Sequence, residues 1–380
     1  MMQQISMVDL KSQYEKISTE IDAGIKEVIE STSFINGKAV KDFALGLQSY
    51  LGVKHVLPCA NGTDALQIAL MALDLEPGDE VITSPFTFIA TAEVINLLKL
   101  KPVFVDVYED TFNLNTDLLE AAITKHTKCI IPVHLFGQTA NMEAIMEIAN
   151  KHNIAVVEDN AQAIGSDYTF ANGEKKKSGT IGHIGCTSFF PSKNLGCYGD
   201  GGAIFTNDDA LAEKIAIITN HGSKVKYYHD VVGVNSRLDS IQAAVLNVKL
   251  KHLDEYIKAR QRAAGYYNNA FKDIEGVVTP ETAPFTNHVF HQYTLKVKEG
   301  RDDLQKALQE KNVPAMIYYP VPLHLQKAYA DCGYKEGDFP VSEKLAKEVI
   351  SLPMHTELDE EQLNFITSSF KEAVSNLVIA

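Results

Sequence analysis

Three short stretches of this 380-residue chain combine residue types that do chemistry with settings that would expose them. In the first, Thr187-Ser188-Phe189-Phe190-Pro191-Ser192-Lys193-Asn194-Leu195-Gly196, a lysine sits in a turn after an apolar run, and Gly199-Asp200-Gly201-Gly202 follows. A deprotonated amine attacks carbonyl carbons. Most lysines are solvated surface charges, so the flanking glycines carry the reading: they let backbone approach a bulky planar ligand. In the second, Val156-Val157-Glu158-Asp159-Asn160-Ala161-Gln162, an acid closes an apolar strand. Asp159 either caps the following segment or faces a ligand, since ligands of open α/β sheets sit at the carboxyl ends of the strands. The third, Cys59-Ala60-Asn61-Gly62-Thr63-Asp64-Ala65-Leu66, reads as a strand end, a small polar turn and a helix start. Its free backbone N–H groups suit a phosphate, or an ordinary cap by Thr63 or Asp64. No Walker sequence and no GxGxxG after a strand is present, which argues against kinase and nicotinamide chemistry. His288-x-x-His291 invites a metal reading, but on a strand residues three apart face opposite ways, so no metal site is expected.

The elements that must position these residues follow from periodicity. Ile17, Ile21, Ile25 and Val28 recur at helical spacing until Asn36-Gly37 breaks the pattern. Strands are expected at 54–58, 80–83, 102–107, 128–135 and 154–158, with helices at 65–73, 91–98, 118–123 and 142–152 between them. That alternation describes an α/β domain around a largely parallel sheet. A strand pair at 186–190 and 202–206 and a helix at 209–218 complete it. One long helical pattern covers 238–271 and leads into an α+β region, with strands at 289–297 and 315–319 and helices at 303–310 and 359–377. The expected division is a large domain over 1–250 and a smaller C-terminal domain over 251–380.

A hydrophobic fraction of 45% supports full cores in a chain of this length. The five cysteines, Cys59, Cys129, Cys186, Cys197 and Cys332, are odd in number and scattered, as expected of reduced thiols. Residues Met1 to Leu10 do not join a basic start to an apolar run, and no apolar stretch is long enough to span a bilayer; a cytoplasmic protein is expected. A net charge of −14 argues against nucleic acid and anionic membrane as partners, so any bound phosphate needs a built local site.

Ser188-Phe189-x-Pro191-x-Lys193-x-Leu195-Gly196 with Gly199-Asp200-Gly201-Gly202-Ala203 resembles the lysine segment of the DegT/StrS-type sugar aminotransferases, which are fold type I pyridoxal-phosphate enzymes. In the same order, Ala60 to Leu66, Pro85-Phe86-Thr87-Phe88-Ile89-Ala90-Thr91, Glu158-Asp159-x-Ala161-Gln162, Gly233-Val234-Asn235-Ser236-Arg237-Leu238-Asp239 and Ser351-Leu352-Pro353-Met354-His355 look like further landmarks of that family. The resemblance spans nearly the whole chain. It implies a large domain with a mostly parallel seven-stranded mixed sheet between helices, and a smaller α+β C-terminal domain. It also implies pyridoxal 5'-phosphate as cofactor, joined to Lys193 as a Schiff base and cycling through pyridoxamine 5'-phosphate. Asp159 would hold the pyridine nitrogen protonated so that the ring acts as an electron sink, and Gln162 would partner the phenolic oxygen. Phe88 would stack on the ring, unless it only packs against its neighbours. Gly62, Thr63 and Ser188 would take the phosphate. Asn235 resembles a residue lent to the neighbouring subunit's phosphate, which implies a homodimer with shared sites; its plain alternative is a turn residue.

Substrates implied by the same resemblance are a nucleotide-linked keto-sugar and L-glutamate as amino donor. Arg237 offers a planar fork for a diphosphate or a sugar carboxylate, or else an ion pair at the subunit interface. Tyr319 and His324 look like parts of the sugar-facing segment. Within the family the lysine segment is most similar to members that aminate C3 of UDP-2-acetamido-2-deoxy-3-oxo-glucuronate for O-antigen synthesis, although Asn194 replaces an expected proline and the His324 region differs. A dTDP-3-keto-6-deoxyhexose or a 4-keto nucleotide sugar is the alternative substrate. Sugar dehydration would place a histidine where Lys193 stands, and a non-catalytic nucleotide-sugar sensor is the alternative of another class. Lys193, Asp159 and Phe88 together argue against a decayed site.

Overall fold

The computed structural model describes residues 5–378. Residues 1–4, the start of the segment read for a targeting signal, lie outside the described residues. Helix α1 (Leu10–Ser31) begins where the Asp9 side chain accepts the Ser12 amide, and it buries Ile17, Ile21 and Val28 as their spacing predicts. A second helix that the periodicity reading lacks, α2 (Lys38–Leu51), follows directly after Asn36-Gly37.

From there β1 (His55–Cys59), α3 (Gly62–Ala72), β2 (Glu80–Thr83), α4 (Ala90–Leu97), β3 (Lys101–Phe104), α5 (Thr116–Leu119), β4 (Thr127–Ile130), α6 (Met142–His152) and β5 (Ala155–Asp159) alternate. A hairpin, β6 (Asp167–Thr169) and β7 (Lys175–Lys177), precedes β8 (Ile184–Ser188), β9 (Gly202–Thr206) and α7 (Asp209–Ile218). The large sheet runs in the order β1-β9-β8-β5-β4-β2-β3. β9 runs antiparallel to the other six strands, which are parallel to one another. Side-chain alternation is visible in the cores: Val81, Cys129 and Val157 pack with α3 residues on one face, while Ile82, Ile130 and Val156 pack with Ile145 and Ala149 of α6 on the other. Burial on both faces explains the continuous apolar runs that mark these strands in the sequence.

A small hairpin, β10 (Ser223–Val225) and β11 (Tyr228–His229), leads to α8 (Ser240–Leu250) and α9 (Leu253–Phe271). The long helix expected over 238–271 is therefore broken at Lys251-His252. Its two halves serve different cores: α8 packs on α1 and α2, whereas Ala263, Ala264, Tyr267 and Phe271 of α9 enter a C-terminal core. That core is completed by β12 (Val277–Val278), β13 (Tyr293–Val297), α10 (Arg301–Glu310), β14 (Val349–Leu352) and α12 (Glu360–Val378), whereas α11 (Pro340–Glu348) sends Leu345 and Ala346 into a cluster with Phe86, Phe112 and Phe136. The C-terminal core also takes in Ile5 from the other end of the chain.

Other expectations need correction. The strand read at 289–297 begins only at Tyr293, and residues 288–292 are irregular, so the opposite-face argument about His288 and His291 loses its premise. The strand read at 315–319 reduces to a single bridge, Met316 to Ser351, because Tyr318 and Tyr319 turn toward a cavity. The strand read at 128–135 stops at Ile130, and Leu135–Gly137 forms a tight turn. Among the described residues no helix is long and apolar enough to cross a membrane.

Candidate active site

The residues singled out for chemistry sit where parallel strands end. After β8, the Phe189 amide donates to the Gly201 carbonyl, the Cys197 amide to Phe189 and the Lys193 amide to Phe190 at 2.8 Å, which folds 189–197 into a compact bend. Leu195 and Cys197 anchor that bend in the core and leave Lys193 at its tip, half-buried. Burial pulls the Lys193 ammonium down to about 8, and the Asp159 carboxylate partly opposes the fall. A sizeable neutral fraction at mild pH is what an amine nucleophile requires.

Asp159 closes β5. Its Oδ2 accepts from Thr91 Oγ1 at 2.7 Å and its Oδ1 from the Ala161 amide at 3.1 Å. The neighbouring acid goes the other way: Glu158 is fully buried, accepts from the amides of Gly179, Ile181 and Gly182, and pairs with His134 Nε2 at 2.8 Å. The Ala140 amide donates to His134 Nδ1, so Nε2 carries the ring proton and donates to Glu158. Strand alternation thus separates a structural acid from one that faces a cavity. Gln162 is fixed at both ends of its amide, Oε1 accepting from the Phe136 amide at 2.8 Å and Nε2 donating to the Tyr319 hydroxyl at 3.3 Å.

At the end of β1, Asn61 caps α3 through Oδ1, which accepts the Asp64 amide at 2.8 Å. The amides of Gly62 and Thr63 are left without a partner among the described residues and open toward Ser188. Gly62 permits this: a Cβ there would lie 2.6 Å from Ser188 Cβ. A helix start, two free amides and a serine hydroxyl form a seat for a phosphate.

Lys193, Asp159, Gln162, Gly62, Thr63, Ser188, Phe88 and Tyr319 line one cavity of about 630 Å³, a volume suited to a small organic ligand. Phe88 stands at its rim, 55% exposed, with its ring centroid 6.3 Å from that of Tyr319. Asn235 and Arg237 are not part of the lining. Asn235 is exposed and bridges Asn220, and Arg237 makes no hydrogen bond or ion pair among the described residues. Between them Ser236 Oγ accepts the Ala60 amide, tying this strip to the end of β1. His324 is not brought to the cavity: it is buried against Phe339, with Nε2 3.0 Å from Glu343. Among the other lining residues, Thr87, Thr91 and Tyr318 had no role in the sequence reading, and His291 was weighed there only as a metal ligand. Thr91 lies three residues after Phe88 in a motif already noted, but His291 is 98 residues from Lys193, a distance no local pattern crosses.

The residues present fit pyridoxal phosphate. Besides the free amides at Gly62 and Thr63, Thr87 Oγ1 is buried at the cavity with no partner, as expected of a group reserved for a ligand. S. venezuelae DesV, solved in complex with a ketimine intermediate, matches the fold with a TM-score of 0.94 and 38% identity, covering 98% of each chain. The molecule is built as a fold type I pyridoxal-phosphate-dependent aminotransferase. More narrowly, the chain belongs to the DegT/DnrJ/EryC1/StrS aminotransferase family, whose model matches residues 15–371. It is 50% identical over 370 residues to the pleiotropic regulatory protein of Geobacillus stearothermophilus, covering 97% of this chain and 98% of that one. To the UDP-2-acetamido-2-deoxy-3-oxo-D-glucuronate aminotransferase of Pseudomonas aeruginosa it is 47% identical over 365 residues, covering 96% and 99%.

Proposed function

We propose that the protein moves the amino group of L-glutamate to C3 of UDP-2-acetamido-2-deoxy-3-oxo-glucuronate, in the cytoplasm, toward an O-antigen or another surface polysaccharide. The observation that carries the reaction is a lysine amine with a pKa pulled down to about 8, sharing a cavity with Asp159 and the open start of α3. Support for the sugar is the 47% identity to a relative named for that substrate.

Bound in this cavity, pyridoxal phosphate supplies an electron sink through which an amino group passes between two carbon skeletons. Lys193 would hold its aldehyde, and its Nζ would carry a proton to and from the reacting carbon. Asp159, fixed by Thr91 and the Ala161 amide, would face the ring nitrogen. Gly62, Thr63 and Ser188 would hold the phosphate, Gln162 would partner the phenolic oxygen, and Phe88 would pack on the ring.

The rest of the reading needs a second copy of the chain. Asn235 would complete the phosphate seat of the neighbouring subunit, with Arg237 beside it for the sugar's carboxylate or diphosphate. Exposure of Val225, Tyr227 and Tyr228 on the adjacent hairpin and of Val232 just after it, at 60, 81, 71 and 86%, supports a self-association surface there. Tyr319 would touch the sugar, while His324 drops out because its ring is turned to Glu343. The break at Lys251-His252 supports a division near residue 250, with Ile5 as an exception that crosses it.

A regulator that senses nucleotide sugars is the second reading, favoured by the name of the 50% relative. The experiment is to incubate purified holoenzyme with glutamate and the UDP-linked 3-keto-glucuronate, and with a dTDP-3-keto-6-deoxyhexose, and to weigh the products by mass spectrometry. The expected result is the aminated UDP-sugar. Amination of the dTDP-sugar alone would move the substrate, and turnover of neither, with glutamate unconsumed, would favour the regulator.

A further inference from the structure

Lys193 sits on a flexible four-carbon stem, so an amine that must act at one point of the cavity needs a second contact to aim it. Its hydrogen-bond partner among the described residues is His291, whose Nε2 lies 3.4 Å from Lys193 Nζ. The segment that presents this ring is pinned from several sides. Arg260 of α9, buried, donates Nη1 to the carbonyls of Phe290, His291 and Met354 at 3.2, 3.2 and 3.0 Å. Gln261 Nε2 donates to the His288 carbonyl, and the amides of Val289 and Gln292 donate to Gly137 and Phe136. Asn194, the residue next to Lys193, donates Nδ2 to the Val289 carbonyl at 3.1 Å, which ties the segment to the lysine's own bend. Phe290 is held at φ 47, a left-handed conformation that a bulky residue keeps only where its surroundings impose it.

The ring itself is an expensive choice for mere filling. His291 is buried and its Nδ1 has no partner, so an apolar side chain would cost less at this place. Lys193 faces the ring from the bend and Arg260 from α9, with Asp159 acting on the lysine from β5. Burial and the two cations hold the imidazole well below its ordinary value, so it adds no charge beside the ammonium. His288, stacked on Phe290 with centroids 3.9 Å apart, is pushed down by burial to about 3 and is neutral as well.

We propose that His291 is a positioning residue for Lys193: its Nε2 accepts a hydrogen bond from the lysine amine and keeps that amine aimed at the reacting centre. The inference rests on Lys193 being the cofactor-bearing amine, and its test is chosen to stand apart from that reading.

His291→Gln puts a side-chain carbonyl near the place of Nε2, whereas His291→Asn reaches only as far as Nδ1. In the cofactor-free full-length chain, lysines carrying 13C-methyl groups are titrated by NMR, the Lys193 signal being identified by its loss in Lys193→Arg. Removing an acceptor disfavours the charged amine, so the Lys193 midpoint should fall by about one pH unit in His291→Asn and stay within about 0.3 in His291→Gln. In the holoenzyme, kcat should drop about 30-fold in the Asn variant and less than about threefold in the Gln variant, with KM for the amino donor changed less than about threefold in both. An unchanged midpoint or an unchanged kcat in His291→Asn, or equal losses in both variants, overturns the proposal. Where wild-type holoenzyme transfers no amino group, the function above fails, and the titration alone still decides the contact between His291 and Lys193.

Discussion

Burial holds the Lys193 ammonium at about 8 in the folded chain, against 10.5 when solvated. Between those values the unfolded chain binds the proton that the folded chain has released, so stability rises with pH across this window. The cost of the buried charge is fully present below pH 8 and vanishes above 10.5. At ~1.4 kcal/mol per pH unit it amounts to about 3 kcal/mol at pH 7 and about 1.4 at pH 9.5. Lys193→Met should therefore stabilise the cofactor-free chain at pH 7 by up to this amount, with the gap narrowing at pH 9.5, as read from urea midpoints. An equal gap at both pH values would mean that burial does not perturb this amine. Lys193 and Asp159 were legible in the sequence because each announces itself locally, one by flanking glycines and the other by closing an apolar run. His291 was weighed there only as a metal ligand, since nothing near it in the chain points to Lys193.

At the scale of elements, the start of α3 carries the proposed phosphate seat, and it depends on β1 and β8 ending close together. Gly62→Ala would drive a Cβ to 2.6 Å from Ser188 Cβ, which forces the helix start away from the serine. Pyridoxal-phosphate affinity should fall at least about tenfold, and stability by about 1–3 kcal/mol through overpacking. Fluorescence titration of the cofactor and thermal unfolding check the two effects. Wild-type affinity in the variant would remove Gly62 from the seat. Periodicity located the strands of the large sheet because they are buried on both faces and stand between helices. It misplaced elements beyond residue 238, where tertiary contacts interrupt the pattern: α8 and α9 face different cores, and 288–292 bends to reach Lys193.

For the whole molecule, the cavity of one chain lacks both Asn235, which is exposed, and Arg237, which is partly exposed, and a hairpin with exposed Val225, Tyr227 and Tyr228 stands nearby in the chain. If two copies share their sites, Lys193→Ala and Asn235→Ala subunits expressed together should regain activity that neither has alone. Random pairing leaves half the dimers mixed with one intact site each, so roughly a quarter of wild-type activity is expected. Recovery of none would confine each site to one chain.

By itself the sequence determined the chain order of the seven large-sheet strands, the lysine bend, the acid at the end of β5 and the turn before α3, because these depend on residues within a few positions of each other. Only the tertiary structure decided that Glu158 turns to His134 while Asp159 meets the cavity, that His324 faces Glu343, and that Ile5 joins the C-terminal core. Those outcomes depend on which surfaces meet when distant segments pack, and short-range spacing carries no information about that meeting.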